Sequence, residues 1–316
     1  FRDTTRILLD PDSSIIRDHK IGRDNIIPAA LYVQMTLDHL ASDGRTSVVL
    51  TNANFISPGK VDAACVLELN AASDTTIKIG LQQHDLAVIQ WRTTERLSGS
   101  DLAIKEIPQE WRTESNFSEV AYRNLNASGY HYGSSLKVIR DHRQADGVDY
   151  ILLSCRNENS EFAFGEIFDG CLQSVLAIFK LRHNSQANEL LLPCFIKKIV
   201  VAEPLTASVV VAIPGDKIAR DGMDLVAMFQ VFSTEGKLLL AAEGVRYKLA
   251  PQKIIAEARK DIPNAIIFQD NVPGKEHHSP VYLYTHAWTP MPLVEPQGYV
   301  AKNSYIFKPG IISASV

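Results

Sequence analysis

Four short segments carry the side chains best suited to proton transfer. The first is Asp18-His19-Lys20-Ile21-Gly22-Arg23-Asp24-Asn25-Ile26-Ile27-Pro28, which sets a histidine nine residues before a proline. The second is Tyr130-His131-Tyr132-Gly133. The third, Phe168-Asp169-Gly170-Cys171-Leu172-Gln173, sets an amide four residues after a carboxylate. The fourth is Leu191-Leu192-Pro193-Cys194-Phe195. Imidazole and carboxyl groups are the usual general bases and acids of enzymes. Taken singly, each has a plainer role: His19 as a surface histidine in a loop, Asp169 as a helix cap. Other chemistries lack their signatures. Cys65, Cys155, Cys171 and Cys194 form no CxxC pair and have no histidine at metal-ligand spacing, so reduced, buried thiols are expected and no metal site. His277-His278 has no further spaced ligands and reads as loop. No glycine-rich phosphate loop and no GxSxG nucleophile elbow occurs.

The elements that must hold these residues are mostly strands. Stretches at 46–51, 61–69, 76–83 and 87–92 are rich in β-branched residues and bounded by turn residues. A polar stretch from about 107 to 130 follows. A second strand set then runs through 149–155, 197–201, 207–213, 224–232 and 238–247. Each set contains one long apolar helix. The first spans Ala29 to Leu40, with Pro28 just before it, where a missing N–H costs nothing. The second spans Asp169 to Lys180, with Asp169 at its start. Both are apolar around most of their circumference, so both are expected to be buried. One buried helix and about five antiparallel strands per half predict an α+β double hot-dog, a sheet wrapped around a central helix and used twice. The expected divisions are residues 1–125, 126–250, and a proline-rich stretch at 251–316 that reads as a linker.

In this combination and order the four segments resemble the polyketide synthase dehydratase family, marked by HxxxGxxxxP, a YGP-type motif, DxxxQ or DxxxH, and an LPF-like motif. The resemblance covers roughly residues 1 to 250. It implies an active site between the two halves, with His19 and Asp169 as the catalytic pair, and water eliminated from a β-hydroxyacyl thioester. His19 would take the α-proton as a neutral imidazole, whose ordinary pKa is about 6.5. Asp169 would protonate the leaving hydroxyl, which requires burial to raise its pKa from about 3.9. Donors for the thioester oxygen are expected from the backbone N–H of Ala29, left unpaired after Pro28, and from Gly133. Tyr132 and Gln173 match positions that in the family support the acid. The family also implies an acyl carrier protein as the partner that delivers the acyl chain on its phosphopantetheine arm, neighbouring synthase domains, and a homodimer. It implies no cofactor. The stretch from Tyr282 to Pro290 looks like the opening strand of a following ketoreductase.

Two positions depart from the family pattern. Arg23 stands where the histidine motif has glycine, and the glycine is one place earlier, at Gly22. The expectation is that Gly22 makes the turn while Arg23 faces solvent. The YGP proline is replaced by Ser134, which loosens a turn and removes no proton-transfer group. These departures leave two alternatives to plain dehydration: a relative that also closes an oxygen ring or shifts the double bond, and a non-catalytic dimerisation module.

Bulk properties exclude other classes. The chain of 316 residues carries a net charge of -4 with no basic run, so nucleic acid is not an expected partner. No apolar run approaches the roughly 20 residues of a membrane span. A soluble, cytoplasmic location is expected.

Overall fold

The computed structural model describes residues 4–250 apart from 46, 83, 94–106, 109–115, 157–159 and 184–188, together with 304 and 305. In chain order, the first half holds β1 (Thr4–Leu9), the single turn α1 (Ser14–Arg17), β2 (His19–Ile21), β3 (Asp24–Asn25) and α2 (Ala29–Ser42). β4 (Val48–Phe55), β5 (Cys65–Ser73), β6 (Thr76–Leu81) and β7 (His84–Thr93) complete it. Then come α3 (Phe117–Ala127), β8 (Tyr130–Tyr132), β9 (Ile139–Ala145), β10 (Val148–Ser154) and α4 (Ala163–Arg182). β11 (Leu191–Val201), β12 (Ser208–Pro214), β13 (Ala219–Asp221), β14 (Asp224–Ser233) and β15 (Leu238–Leu249) follow. A two-residue strand, β16 (Ser304–Tyr305), lies parallel to β1.

The expected α+β double hot-dog is the observed fold. Strands β1-β5-β6-β7-β4 curl around α2, and β11-β15-β14-β12-β10-β9 curl around α4, all paired antiparallel. The two curls are one continuous sheet, because β4 pairs with β11 from Phe195↔Asn54 to Val200↔Val49. Alternation puts one row of each strand inside: Leu67, Leu69, Ile77, Ile79 and Ile89 are fully buried against α2, and Val209, Val211 and Ile213 against α4. The expected strands are present, with β11 starting at Leu191, ahead of the expected residue 197, so that the fourth motif lies within it.

Two expectations are corrected. The second helix begins at Ala163, not Asp169, so Asp169 lies in its second turn and cannot cap it. Gly165, which the expected helix left out, and Gly170, which it included, are both interior helix positions that allow close approach. A Cβ on Gly165 would lie 2.8 Å from Gln34 Oε1, and one on Gly170 2.3 Å from Val138 Cγ2. The polar stretch at 107–130 contains a helix, α3, which packs against α4, β8 and β9 and runs across the division expected at 125/126. Its buried stripe is narrow, Ala121 and Leu125, which is why hydropathy alone hides it.

The linker and following-domain start expected at 251–316, including His277-His278 and Tyr282 to Pro290, lie outside the described residues except for 304 and 305. No helix among the described residues is long and apolar enough to cross a membrane. All four cysteines are unbridged; Cys155, Cys171 and Cys194 are buried and Cys65 is half-buried.

Candidate active site

His19 opens β2, a short strand held between β3 and β8 in a small separate sheet. The register sets His19 opposite Tyr132, so the first motif of one half is paired with the second motif of the other. Gly22 closes the turn after β2 at φ 60°, and its N–H donates to Gly129 O at 2.9 Å. That conformation strains any residue with a Cβ, which explains the glycine. Arg23, next to it, is exposed, as expected.

The chain then folds back so that Ile26 N–H donates to His19 O at 3.0 Å and His19 Nδ1 reaches Ile26 O at 2.8 Å. A carbonyl can only accept, so Nδ1 carries the proton and Nε2 of the neutral ring is left with a free lone pair. Tyr132 packs edge-on against the imidazole, with ring centres 5.6 Å apart. His19 is 9% exposed, its free nitrogen facing the other half.

Asp169 stands on α4, 4% exposed, with Oδ1 3.9 Å from His19 Nε2. Gln173, one turn on, donates from Nε2 to Asp169 Oδ2 at 2.7 Å and to Leu136 O at 3.1 Å. Burial pushes the Asp169 carboxyl above the usual carboxylate range; the charges of His19 and the Gln173 hydrogen bond oppose this and do not reverse it. A carboxyl whose pKa is raised by burial, beside an imidazole whose Nδ1 is engaged by a carbonyl, is an arrangement in which the acid and base roles can be divided between the two groups.

A cavity of 340 Å³ opens on both groups. Ala29, Gln173, Tyr132 and Pro193 also line it, whereas Gly133 does not. Pro28 holds the extended conformation at the N-cap of α2 (φ -64°, ψ 142°), so the N–H of Ala29 starts the helix without an intrahelical acceptor. Pro193 precedes an irregularity in β11: it pairs with Tyr247, Phe195 pairs with Arg246, and Cys194 is the extra residue between them.

Gly133 and Tyr132 differ from what the sequence led us to expect. The Gly133 N–H is already engaged, donating to Asp18 O at 2.8 Å, so it is not a free donor for a substrate oxygen. The glycine is required for closeness instead, since a Cβ there would fall 2.2 Å from Asp18 Cγ. Asp18 fastens the same loop a second time by accepting the Ser135 N–H at 2.9 Å. Burial works against the Asp18 charge, but the Ser135 and Arg17 contacts outweigh it and hold its pKa below the ordinary value. Among the described residues Tyr132 makes no hydrogen bond to Asp169; the side-chain hydrogen bond to that carboxyl comes from Gln173.

Sequence reasoning missed three tyrosines. Tyr122 of α3 donates to Gln173 Oε1 at 3.1 Å and accepts from Ile139 N–H at 3.0 Å, behind the acid. Tyr130 donates to Leu191 O and accepts the Leu191 N–H, which fixes the start of β11 against β8. Tyr247 donates to Leu172 O at 3.0 Å. Only Tyr130 lay in a quoted motif, and nothing in the local sequence marks the other two. His39 contacts Thr5, His142 contacts Asp149, and neither lines the cavity. Among the described residues no cluster of metal-binding side chains occurs.

Comparison with known proteins agrees with this geometry. Residues 101–255 match the family model described as polyketide synthase dehydratase N-terminal domain, a span that includes Asp169 and leaves His19 outside it. No curated protein matches the chain in sequence. Among solved structures, an N-terminal dehydratase from the difficidin assembly line superposes with a TM-score of 0.66 at 14% identity, covering 82% of this chain and 98% of that one. The dehydratase domain of PpsC from Mycobacterium tuberculosis gives 0.64 at 17% identity, covering 78% and 93%. That of RzxB from Pseudomonas fluorescens gives 0.60 at 19%, covering 77% and 94%. At these identities the likeness establishes the fold. With that fold and the family match across its second half, the chain belongs to the polyketide synthase dehydratase domain family.

Proposed function

We propose that this chain removes water from a β-hydroxyacyl thioester carried on an acyl carrier protein, leaving an α,β-unsaturated acyl chain. The observation that carries this is the 3.9 Å gap between His19 Nε2 and Asp169 Oδ1. It is too long for a strong hydrogen bond between the two groups and short enough for both to serve adjacent carbons of one substrate. His19 Nε2 takes the proton from C2, and the electron pair moves into the thioester to form an enolate. The Ala29 N–H is the donor for that oxygen. The pair then returns to form the C2–C3 double bond as the C3–O bond breaks, and the Asp169 proton goes to the departing hydroxyl. Water leaves, and a proton passed from His19 to Asp169 restores the starting state. No cofactor or metal is needed in this sequence.

The acyl carrier protein and neighbouring synthase domains are the proposed partners, and the cytoplasm the proposed location. The fold is shared with the PpsC dehydratase, whose structure was solved with C12:1-CoA, a thioester. Homodimer formation is likewise a proposal; one structural relative is described as a monomeric dehydratase domain, and light scattering at micromolar concentration decides. Ring closure or a shift of the double bond would use the same pair. Arg23, the departure that suggested them, is exposed and does not line the cavity.

Incubation with a synthetic β-hydroxyacyl pantetheine thioester tests the proposal. Loss of one water by mass, absent in His19→Phe and Asp169→Asn, is the expected result. Unchanged product in those variants would sink it, and a second, isomeric product from a thioester with a distal hydroxyl would favour ring closure.

A further inference from the structure

The cavity has a direction, set by where its lining residues lie along α4. Asp169, Leu172, Gln173 and Leu176 line it, whereas Gly165 and Glu166, a turn before Asp169, do not. From the acid the space therefore extends only toward the C-terminal end of the helix, roughly 10 Å to Leu176 at the α-helical rise. The small sheet runs beside it in the same sense. His19 pairs with Tyr132 next to the acid, and Ile21 pairs with Tyr130 further on. Lys180, one turn beyond Leu176, donates to Ser128, two residues before Tyr130, at 2.6 Å. The Ile21–Tyr130 pair thus lies on the Leu176 side.

That end is walled. Leu176, Ile21 and Tyr130 are all buried. Behind them Lys180, fully buried, also donates to Glu189 O at 2.8 Å, and the Gly22 N–H donates to Gly129 O at 2.9 Å. The half-buried lining residues lie elsewhere. Ser57 and Pro58 follow β4, Leu192 and Pro193 open β11, and Lys248 ends β15, three neighbouring strands whose ends frame the mouth. The hydroxyl protons near the walled end are spent on backbone: Tyr130 donates to Leu191 O, and Tyr247 to Leu172 O at 3.0 Å. Ile21, Leu172 and Leu176 supply the rest of its lining. A carbonyl on a bound chain would lose water there without gaining a donor, whereas methylenes gain from burial.

We propose that Leu176 is a specificity-determining residue that ends the acyl site, so that the chain beyond C3 must be hydrocarbon and of bounded length. The proposal rests on the reading of the cavity as a β-hydroxyacyl site. With the thioester oxygen at the Ala29 N–H and the C3 hydroxyl at Asp169, the tail continues along α4 past Leu172, and Leu176 is the last side chain it meets.

Binding separates this from the catalytic proposal. In an Asp169→Asn background, which prevents turnover, dissociation constants are measured for straight-chain β-hydroxyacyl pantetheine thioesters of increasing length. We expect affinity to rise with each methylene and then to fall about tenfold past a cut-off. Adding Leu176→Ala should move the cut-off about two carbons longer, and Leu176→Phe should move it shorter. Ile21→Ala, on the facing wall, should also lengthen it, and keeps the test decisive where a substitution in α4 fails to fold. A keto group near the end of a chain of accepted length should weaken binding about tenfold. Absence of a cut-off, or a cut-off that no folded variant moves, would overturn the inference. Equal binding of keto and methylene chains would overturn the hydrocarbon requirement. If the unsubstituted chain dehydrates none of these thioesters while the cut-off moves as stated, the catalytic reading fails and the length stop stands.

Discussion

Gln173 Nε2 donates to Asp169 Oδ2 at 2.7 Å, from one turn further along the same helix. The amide cannot be turned round, because Nε2 also faces Leu136 O and Oε1 faces the Tyr122 hydroxyl. Oδ2 is thus an acceptor, and the proton of a neutral Asp169 sits on Oδ1, the oxygen 3.9 Å from His19. Gln173 decides which carboxyl oxygen is the acid.

Gln173→Leu should therefore lower kcat by roughly 10- to 100-fold with a smaller change in KM, since it removes orientation and leaves the cavity wall apolar. Tyr122→Phe should act in the same direction more weakly. It leaves Gln173 Oε1 and the Ile139 N–H without that partner, at about 1–3 kcal/mol of stability. Steady-state kinetics of both variants beside their unfolding curves checks the order.

Removing either member of the pair should cost more. His19→Phe and Asp169→Asn are each expected to reduce kcat/KM by about 10²- to 10⁴-fold, the range for loss of one general acid or base. The double variant should be little worse than the single ones, because the two groups act on one elimination.

Asp169 and Asp18 should shift stability with pH in opposite senses. Burial raises the folded-state pKa of Asp169. Its contribution is fully present below the unfolded value near 3.8 and is lost as pH rises through the raised one. The midpoint of Asp169→Asn relative to the unsubstituted chain should climb between pH 4 and neutrality, within the ~1–3 °C steps that fractions of a kcal/mol give. For Asp18, burial raises the pKa and the Ser135 and Arg17 contacts lower it further than that, for a net fall. Its contribution is present above 3.8 and is lost as pH falls through the lowered value, so Asp18→Asn should matter most above pH 4 and least in acid. Thermal scans across pH 3–8 measure both.

Gly133→Ala should destabilise the protein by roughly 2–4 kcal/mol. Its Cβ would fall 2.2 Å from Asp18 Cγ, and the residue is held on both sides by the Asp18 carbonyl and the Ser135 contact. Activity should fall with stability, because His19 is the next residue after Asp18. Urea unfolding, with kinetics at a temperature where the variant is folded, separates the two.

Much of the site was legible because it is built from local pieces. Pro28 opening an apolar run announces α2, and the spacing from Asp169 to Gln173 puts both on one face of a helix. What stayed hidden depends on partners distant in sequence. The true start of α4, six residues before Asp169, is hidden until Gln34 is seen pressing against Gly165. Gly133 looks like a ligand contact until Asp18 is found occupying its N–H. Tyr122 lies in a segment too polar to read as a packed helix, and its hydroxyl acts on a residue of another helix.

The ladder from Phe195↔Asn54 to Val200↔Val49 bears on how the site can be reached. With β4 and β11 hydrogen-bonded, a clamshell motion that swung one half from the other would have to break that ladder, at the cost of several backbone hydrogen bonds on every turnover. The spacing of the two proton-transfer groups is thus set during folding and not by closure around each arriving chain. On the proposed function, the acyl chain enters a vessel already shaped.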